Sequence, residues 1–163
     1  EEAINSIDEQ LTRYLISLSG EALSQKESEI LTNILDSSRD LERIGDHAEA
    51  LINLTDYLQR KNVTFSESAL VELEEIYRQT TEFTKDALDC VENNDIQKAQ
   101  SLIERHEAIN NMERVLRKTH IKRLNKGECS TQAGVNFIDI ISHYTRVSDH
   151  AMNLAEKVIA EQI

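Results

Sequence analysis

The 163-residue chain has no proline and no tryptophan, four glycines and two cysteines, and aromatic side chains make up only 4% of it. Without proline the strongest interior helix breaker is gone. With so little glycine there is no Walker loop and no Gly-rich dinucleotide loop to cradle a phosphate. Cys90 and Cys129 lack CxxC spacing; they build no disulfide framework and suit a reducing compartment. No run of 18 apolar residues occurs, so this chain is not expected to span a membrane. Its acidic start, Glu1-Glu2-Ala3-Ile4, is the opposite of a basic secretory leader. Basic residues are also in deficit: 18 Lys and Arg stand against 30 Asp and Glu, a net charge of -12. No basic stripe exists to displace counterions from a phosphate backbone, which argues against a nucleic-acid partner. Cations remain compatible, and the acidic residues are spread along the chain rather than gathered in a tail.

What is present reads as helix. Ile4, Ile7, Leu11, Leu15 and Leu18 recur at helical spacing, and Gly20 is a plausible C-cap. Ser24 with Glu27 forms a capping-box pattern that opens a second helix. That helix runs to about Arg60 with Ile30, Ile34, Leu41, Ile44, Ala48, Leu51 and Leu58 on its apolar stripe, and would be about 50 Å long. Thr64 with Glu67 reads as a further capping box. It opens a third helix whose stripe is Leu70, Leu73, Tyr77, Thr84, Ala87 and Val91. Asn93-Asn94-Asp95 is a turn carrying an N-cap. A fourth helix then runs from about Ile96 to Lys126 and stops at Gly127, and Ser130 or Thr131 caps a fifth that continues to about Ala160. No strand-like alternation competes. The expected fold is an all-α antiparallel bundle of five long helices with short connections.

One string occurs twice. Asp40-Leu41-Glu42-Arg43-Ile44-Gly45-Asp46-His47-Ala48 returns as His143-Tyr144-Thr145-Arg146-Val147-Ser148-Asp149-His150-Ala151, 103 residues later. The match extends to Glu2-Ala3-Ile4-Asn5 against Glu107-Ala108-Ile109-Asn110. A repeat of this kind points to duplication of a helical unit. The third helix has no earlier counterpart, so 1–62 reads as a partial first repeat and 63–163 as a complete second one, in a chain expected to begin inside a longer protein. A bundle short of one helix exposes an apolar groove, and a homo-oligomer is therefore expected.

Glu42, Asp46 and Glu49 lie on one helix face, where like charges three and four residues apart repel. Arg43 can neutralise them, and so can a hard divalent cation that gathers carboxylate oxygens. The second copy offers Asp149, Asn153 and Glu156, and the fourth helix offers Glu107 with Asn111. The same spacing is also what an ordinary solvated face shows, and both readings stand at this point. His47 and His150 sit at the edge of the apolar stripe and read best as half-buried side chains bonded to neighbours. His106 and His120 have no partner at ligand spacing. No Glu-x-x-His and no His-Glu-x-x-His occurs, and neither cysteine sits in a nucleophile motif. The chain is not expected to be an enzyme.

The string Glu42-Arg43-Ile44-Gly45-Asp46-His47-Ala48 resembles the signature of the PhoU family, bacterial regulators of phosphate uptake. That signature ends in Asn, a hydrophobe, Ala and Glu, as Asn153-Leu154-Ala155-Glu156 does. Leu116-Arg117, His120-Ile121, Arg123-Leu124, Gly127, Cys129 and Phe137-Ile138-Asp139-Ile140-Ile141 resemble more closely the PhoU-like domain at the C-terminus of bacterial sodium/phosphate cotransporter family proteins. The resemblance implies two three-helix units. It implies a regulatory role at the cytoplasmic face of the cell membrane, with the chain's own transmembrane domain or a phosphate transporter as partner. It also implies surface sites for iron, zinc or another divalent metal, which map onto Glu42 with Asp46, Asp149 with Asn153, and Glu107 with Asn111. Ala50 stands where the first motif would carry its Asn, and Thr145 where the second would carry its Glu.

Overall fold

The computed structural model describes residues 2–20 and 22–160. They form five helices: α1 (Glu2–Ser19), α2 (Gln25–Arg60), α3 (Glu67–Asn93), α4 (Ile96–Asn125) and α5 (Thr131–Ile159). The starts follow from side-chain capping of orphan amide groups. Ser24 and Glu27 make the reciprocal capping box expected for α2. Asp95 accepts from Lys98 N–H at the head of α4, and Ser130 from Ala133 N–H at the head of α5. The expected Thr64 box is corrected. Ser66 is the N-cap of α3, with its hydroxyl taking Ala69 N–H, because the helix starts two residues later than that box required.

Three helices stop by one device. Asn62, Asn94 and Gly127 take left-handed φ values of 51°, 50° and 71°. The next amide then reaches back to the final turn: Val63 N–H to Leu58, Asp95 N–H to Cys90 and Glu128 N–H to Arg123. This closes carbonyls that would otherwise lack partners. Short polar Asn tolerates the left-handed region better than other side chains with a Cβ.

α5 is the centre. It packs against α2, α3 and α4; α3 also packs against α4, whereas α1 packs against α2 alone. Phe83, Ala87 and Cys90 of α3 meet Ala99, Leu102 and Ile109 of α4 and Ala151, Met152, Ala155 and Val158 of α5 in one apolar cluster. Ala69, Ile76, Leu116, Phe137 and Ile141 make a second. The expected stripe of α3 is displaced by about one position. Ala69, Ile76, Thr80, Phe83, Ala87 and Cys90 are buried, while Leu70, Tyr77 and Val91 are exposed. Facing two helices at once, α3 turns the frame holding Ile76 and Phe83 inward. On α2 the stripe is overturned at Ile30, Leu41 and Ala48, which are exposed; Ile44 and Leu51 are half-buried. Leu58 is the one large apolar side chain of α2 in the core.

α1 is held by Leu15, its buried residue, and by a Ser38 hydroxyl donating to Asp8 at 2.5 Å. Gly45 marks where it comes closest: a Cβ there would stand 3.0 Å from Ile4 Cδ1. Ile4 is about one-third exposed and free to rotate aside. Gly45→Ala is therefore expected to raise stability by about 0.5 kcal/mol, since alanine restores helix propensity. Urea denaturation checks this, and a loss of stability would mean that Ile4 is held too tightly to give way.

Candidate functional site

α2 and α5 run antiparallel, and the two copies of the repeated string face each other across the seam between them. His150 Nδ1 lies 2.9 Å from Asp40 Oδ1, and His47 Nδ1 lies 3.1 Å from His143 Nδ1. Shifted by the 103-residue repeat, the first pair becomes the second. The repeats therefore meet about an internal pseudo-two-fold axis, with Gly45 and Ser148, both buried, as the small residues of the two strings. At the end of the seam nearest the α2–α3 connection, Gln132 Nε2 donates to Tyr57 Oη at 2.8 Å.

Asp40 is the hub. Besides His150 it receives Asn153 Nδ2 at 2.8 Å and Lys157 Nζ at 3.0 Å. Burial pushes its carboxyl upward, but the bonds from Asn153, His150 and Lys157 outweigh this and hold it below the ordinary 3.8. His47 stacks on His150 with ring centroids 5.8 Å apart. Burial pushes His47 below the ordinary 6.5, and the neighbouring His143 and His150 add to the shift. The seam therefore disfavours a charged His47, while Asp40 has a lysine partner.

The residues singled out in the sequence divide between surface and seam. Glu42 and Asp46 both turn to Arg43, at 3.5 Å and 3.2 Å, in the arrangement that neutralises the stripe without a metal. Asp149 faces His106 Nε2 at 3.0 Å, and Asn110 reaches the same nitrogen at 3.3 Å. Asn153 is committed to Asp40. Asn111 accepts from Arg114 at 3.3 Å, and Glu107 beside it is exposed. Among the described residues no three His, Cys, Asp or Glu side chains converge to hold one metal ion. Glu42, Asp46, Asp149, Asn153 and Asn111 each have a side-chain partner within the chain, so any ion at these pairs would compete with those partners and draw further ligands from outside them.

Sequence reasoning gave no site role to Asp40 or Lys157 and did not foresee the pairing of His143 with His47. The signal was in the repeat, since Asp40 and His143 occupy equivalent positions at its first residue. His106, with no partner at ligand spacing in the sequence, finds Asp149 on another helix, a pairing that spacing along one helix cannot show.

Among the described residues this is an all-helical bundle in which two copies of one motif pair across a central antiparallel seam. The family description "PhoU domain" matches it over residues 1–55 and 73–158, and the chain belongs to the PhoU family. It is 31% identical over 134 residues to the phosphate-specific transport system accessory protein PhoU homolog 1 of Thermotoga maritima, which covers 82% of this chain and 57% of that protein. The chain thus spans little more than half the length of that relative. In fold it is similar to the phosphate transport system regulatory protein PhoU from Streptococcus pneumoniae, with a TM-score of 0.80 and 23% identity over 97% of this chain and 73% of the other. PhoU from Pseudomonas aeruginosa gives a TM-score of 0.77 at 21% identity, covering 97% of this chain and 78% of its own.

Proposed function

We propose that this chain is a regulatory PhoU-like domain of a phosphate transport system, carried on the cytoplasmic side of a sodium/phosphate cotransporter as part of a longer protein. The observation that supports this most is the doubled Arg-hydrophobe-small-Asp-His-Ala string in a chain whose curated relative is an accessory protein of phosphate transport. Among the described residues no helix is long and apolar enough to cross a membrane, so contact with a membrane domain would be made by docking. Residues 1–62 act as a partial unit and 63–163 as a complete one, and the exposed apolar side chains of α1, Ile7, Tyr14 and Ile16, favour assembly with a further copy or partner. In this reading Glu42 with Asp46, Asp149 with Asn153, and Glu107 with Asn111 are the positions at which iron, zinc or another divalent ion would bind, with solvent or a partner completing the coordination. A second reading, a helical interaction scaffold, is favoured by the engagement of those same carboxylates with Arg43 and His106.

Asp46→Ala and Asp149→Ala separate the two. Asp46 and Arg43 form a half-exposed pair, worth less than about 1 kcal/mol, so Asp46→Ala is expected to stay folded. Altered phosphate uptake by cells making the whole protein, together with bound metal that falls in the variants on elemental analysis, is the expected result. Unchanged uptake in both folded variants would refute the regulatory reading, and a metal-free wild-type chain would refute the metal part.

A further inference from the structure

α2 is 36 residues long, and its buried residues are Ser38, Asp40, Gly45 and Leu58. For a helix of that length this is little apolar anchorage, since burial of large apolar side chains is what usually holds a helix on its partner. α2 touches the rest of the domain through α5 only, and α1 touches α2 only. Beside the seam, a cavity of about 500 Å³ separates Ile44, Leu51 and Ile52 of α2 from Tyr77, Thr80 and Thr84 of α3. Within it the Thr80 hydroxyl, on a residue 2% exposed, has no hydrogen-bond partner. α2 therefore stands off α3 along its length. The connection from α2 to α3 is short. α2 is closed by the bond from Val63 N–H to Leu58, Phe65 is seated edge-on against Phe137 at 6.3 Å, and Thr64 between them is exposed.

We propose that the α1–α2 hairpin is a hinged arm, pivoting at Val63–Thr64 and latched onto the α3–α5 bundle by Asp40. The latch lies 20 residues before Arg60, the last residue of α2, about 30 Å along the helix from its pivot end. There the three donors of α5 converge on one carboxylate, close to where Asp8 of α1 meets Ser38 of α2, so release of the latch carries α1 away together with α2. Lys157 and Asp40 are both mostly buried, with side chains 13% and 12% exposed. Removing either leaves the other charge without its partner, and that cost is relieved when the arm swings out and water reaches it.

The test is a distance measurement between spin labels on the whole chain, with Cys90→Ala and Cys129→Ser removing the native thiols. Labels go on Gln10→Cys of α1 and Lys118→Cys of α4, both exposed. The expected result is one dominant short distance in the otherwise native chain. Asp40→Ala and Lys157→Met, which disturb the latch from opposite sides, are each expected to raise the long-distance population at least tenfold while circular dichroism keeps the helix content. The proposal is overturned if both variants keep the native distribution. It is equally overturned if either variant loses helix throughout the chain without passing through a long-distance population, because the hairpin would then be an inseparable part of the fold.

Discussion

Asp40→Ala is expected to lower stability by about 3 kcal/mol at pH 7, far more than any exposed carboxylate of the motif. The carboxylate accepts from His150, Asn153 and Lys157. Truncation leaves a mostly buried ammonium and two donors without an acceptor, and the cost of such orphaned groups exceeds the value of the bonds themselves. The pH dependence gives the same group a second signature. Its folded pKa lies below the ordinary 3.8, so the unfolded state takes up a proton first as acid is added. The stabilisation is complete above pH 3.8 and disappears as pH falls through the folded value. Asp40→Asn keeps the shape but cannot ionise. Its urea stability is expected to lie below wild type at neutral pH and to converge on it in acid. A gap that stays constant down to pH 2 would show that the charge of Asp40 contributes nothing.

Phe137→Ala is expected to cost about 4 kcal/mol, in the range for deleting a buried aromatic. Phe137 is fully buried. It lies flat on His120 with centroids 4.1 Å apart, edge-on to Phe65, and under the Arg123 guanidinium at 5.8 Å, so one ring joins the linker, α4 and α5. It also keeps His120 dry. Burial, with some help from Arg123, pushes this imidazole below the ordinary 6.5. A base with a lowered folded pKa is fully compatible with the fold above pH 6.5, and stability is lost as pH falls from there through the folded value. Phe137→Ala opens one face of the imidazole, and its stability is expected to vary less between pH 7 and 5 than that of wild type. Urea titrations at the two pH values measure both effects. A cost below about 1.5 kcal/mol would mean that neighbours collapse into the space.

The elements of this fold were legible because their signals are local. Ser24 with Glu27, Asp95, Ser130 and Gly127 sit where capping chemistry requires them, and the absence of proline leaves the helices uninterrupted. The facing of α3 was less legible. Leu70 and Tyr77 can line a helix stripe as readily as Ala69 and Ile76 can, and the choice between adjacent frames is made by what α4 and α5 present, which no spacing within α3 encodes. α2 misleads for a related reason: Ile30 and Leu41 keep helical periodicity but are exposed in a domain in which α2 meets little besides α1 and α5. At the site, the repeated string pointed to the two stretches that face each other across the seam, but not to the part Asp40 plays between them. Glu42 and Asp46 satisfy each other's neighbour Arg43, while Asp40 points across the seam. Its partners lie 110 to 117 residues away, and a pairing at that distance can be read only by laying the two copies of the repeat against one another.

The seam also sets a timetable for synthesis. The α1–α2 hairpin is complete when Arg60 leaves the ribosome, but its docking helix ends at Ile159. At 5–20 residues per second the ~100 intervening residues take about 5–20 s. Through that interval His47 and the other side chains of α2 that pack on α5 lack the helix they pack on, whereas α3, α4 and α5 are made consecutively and can close on one another as they emerge. The N-terminal half of the domain is therefore the first to be translated and the last to be sheltered.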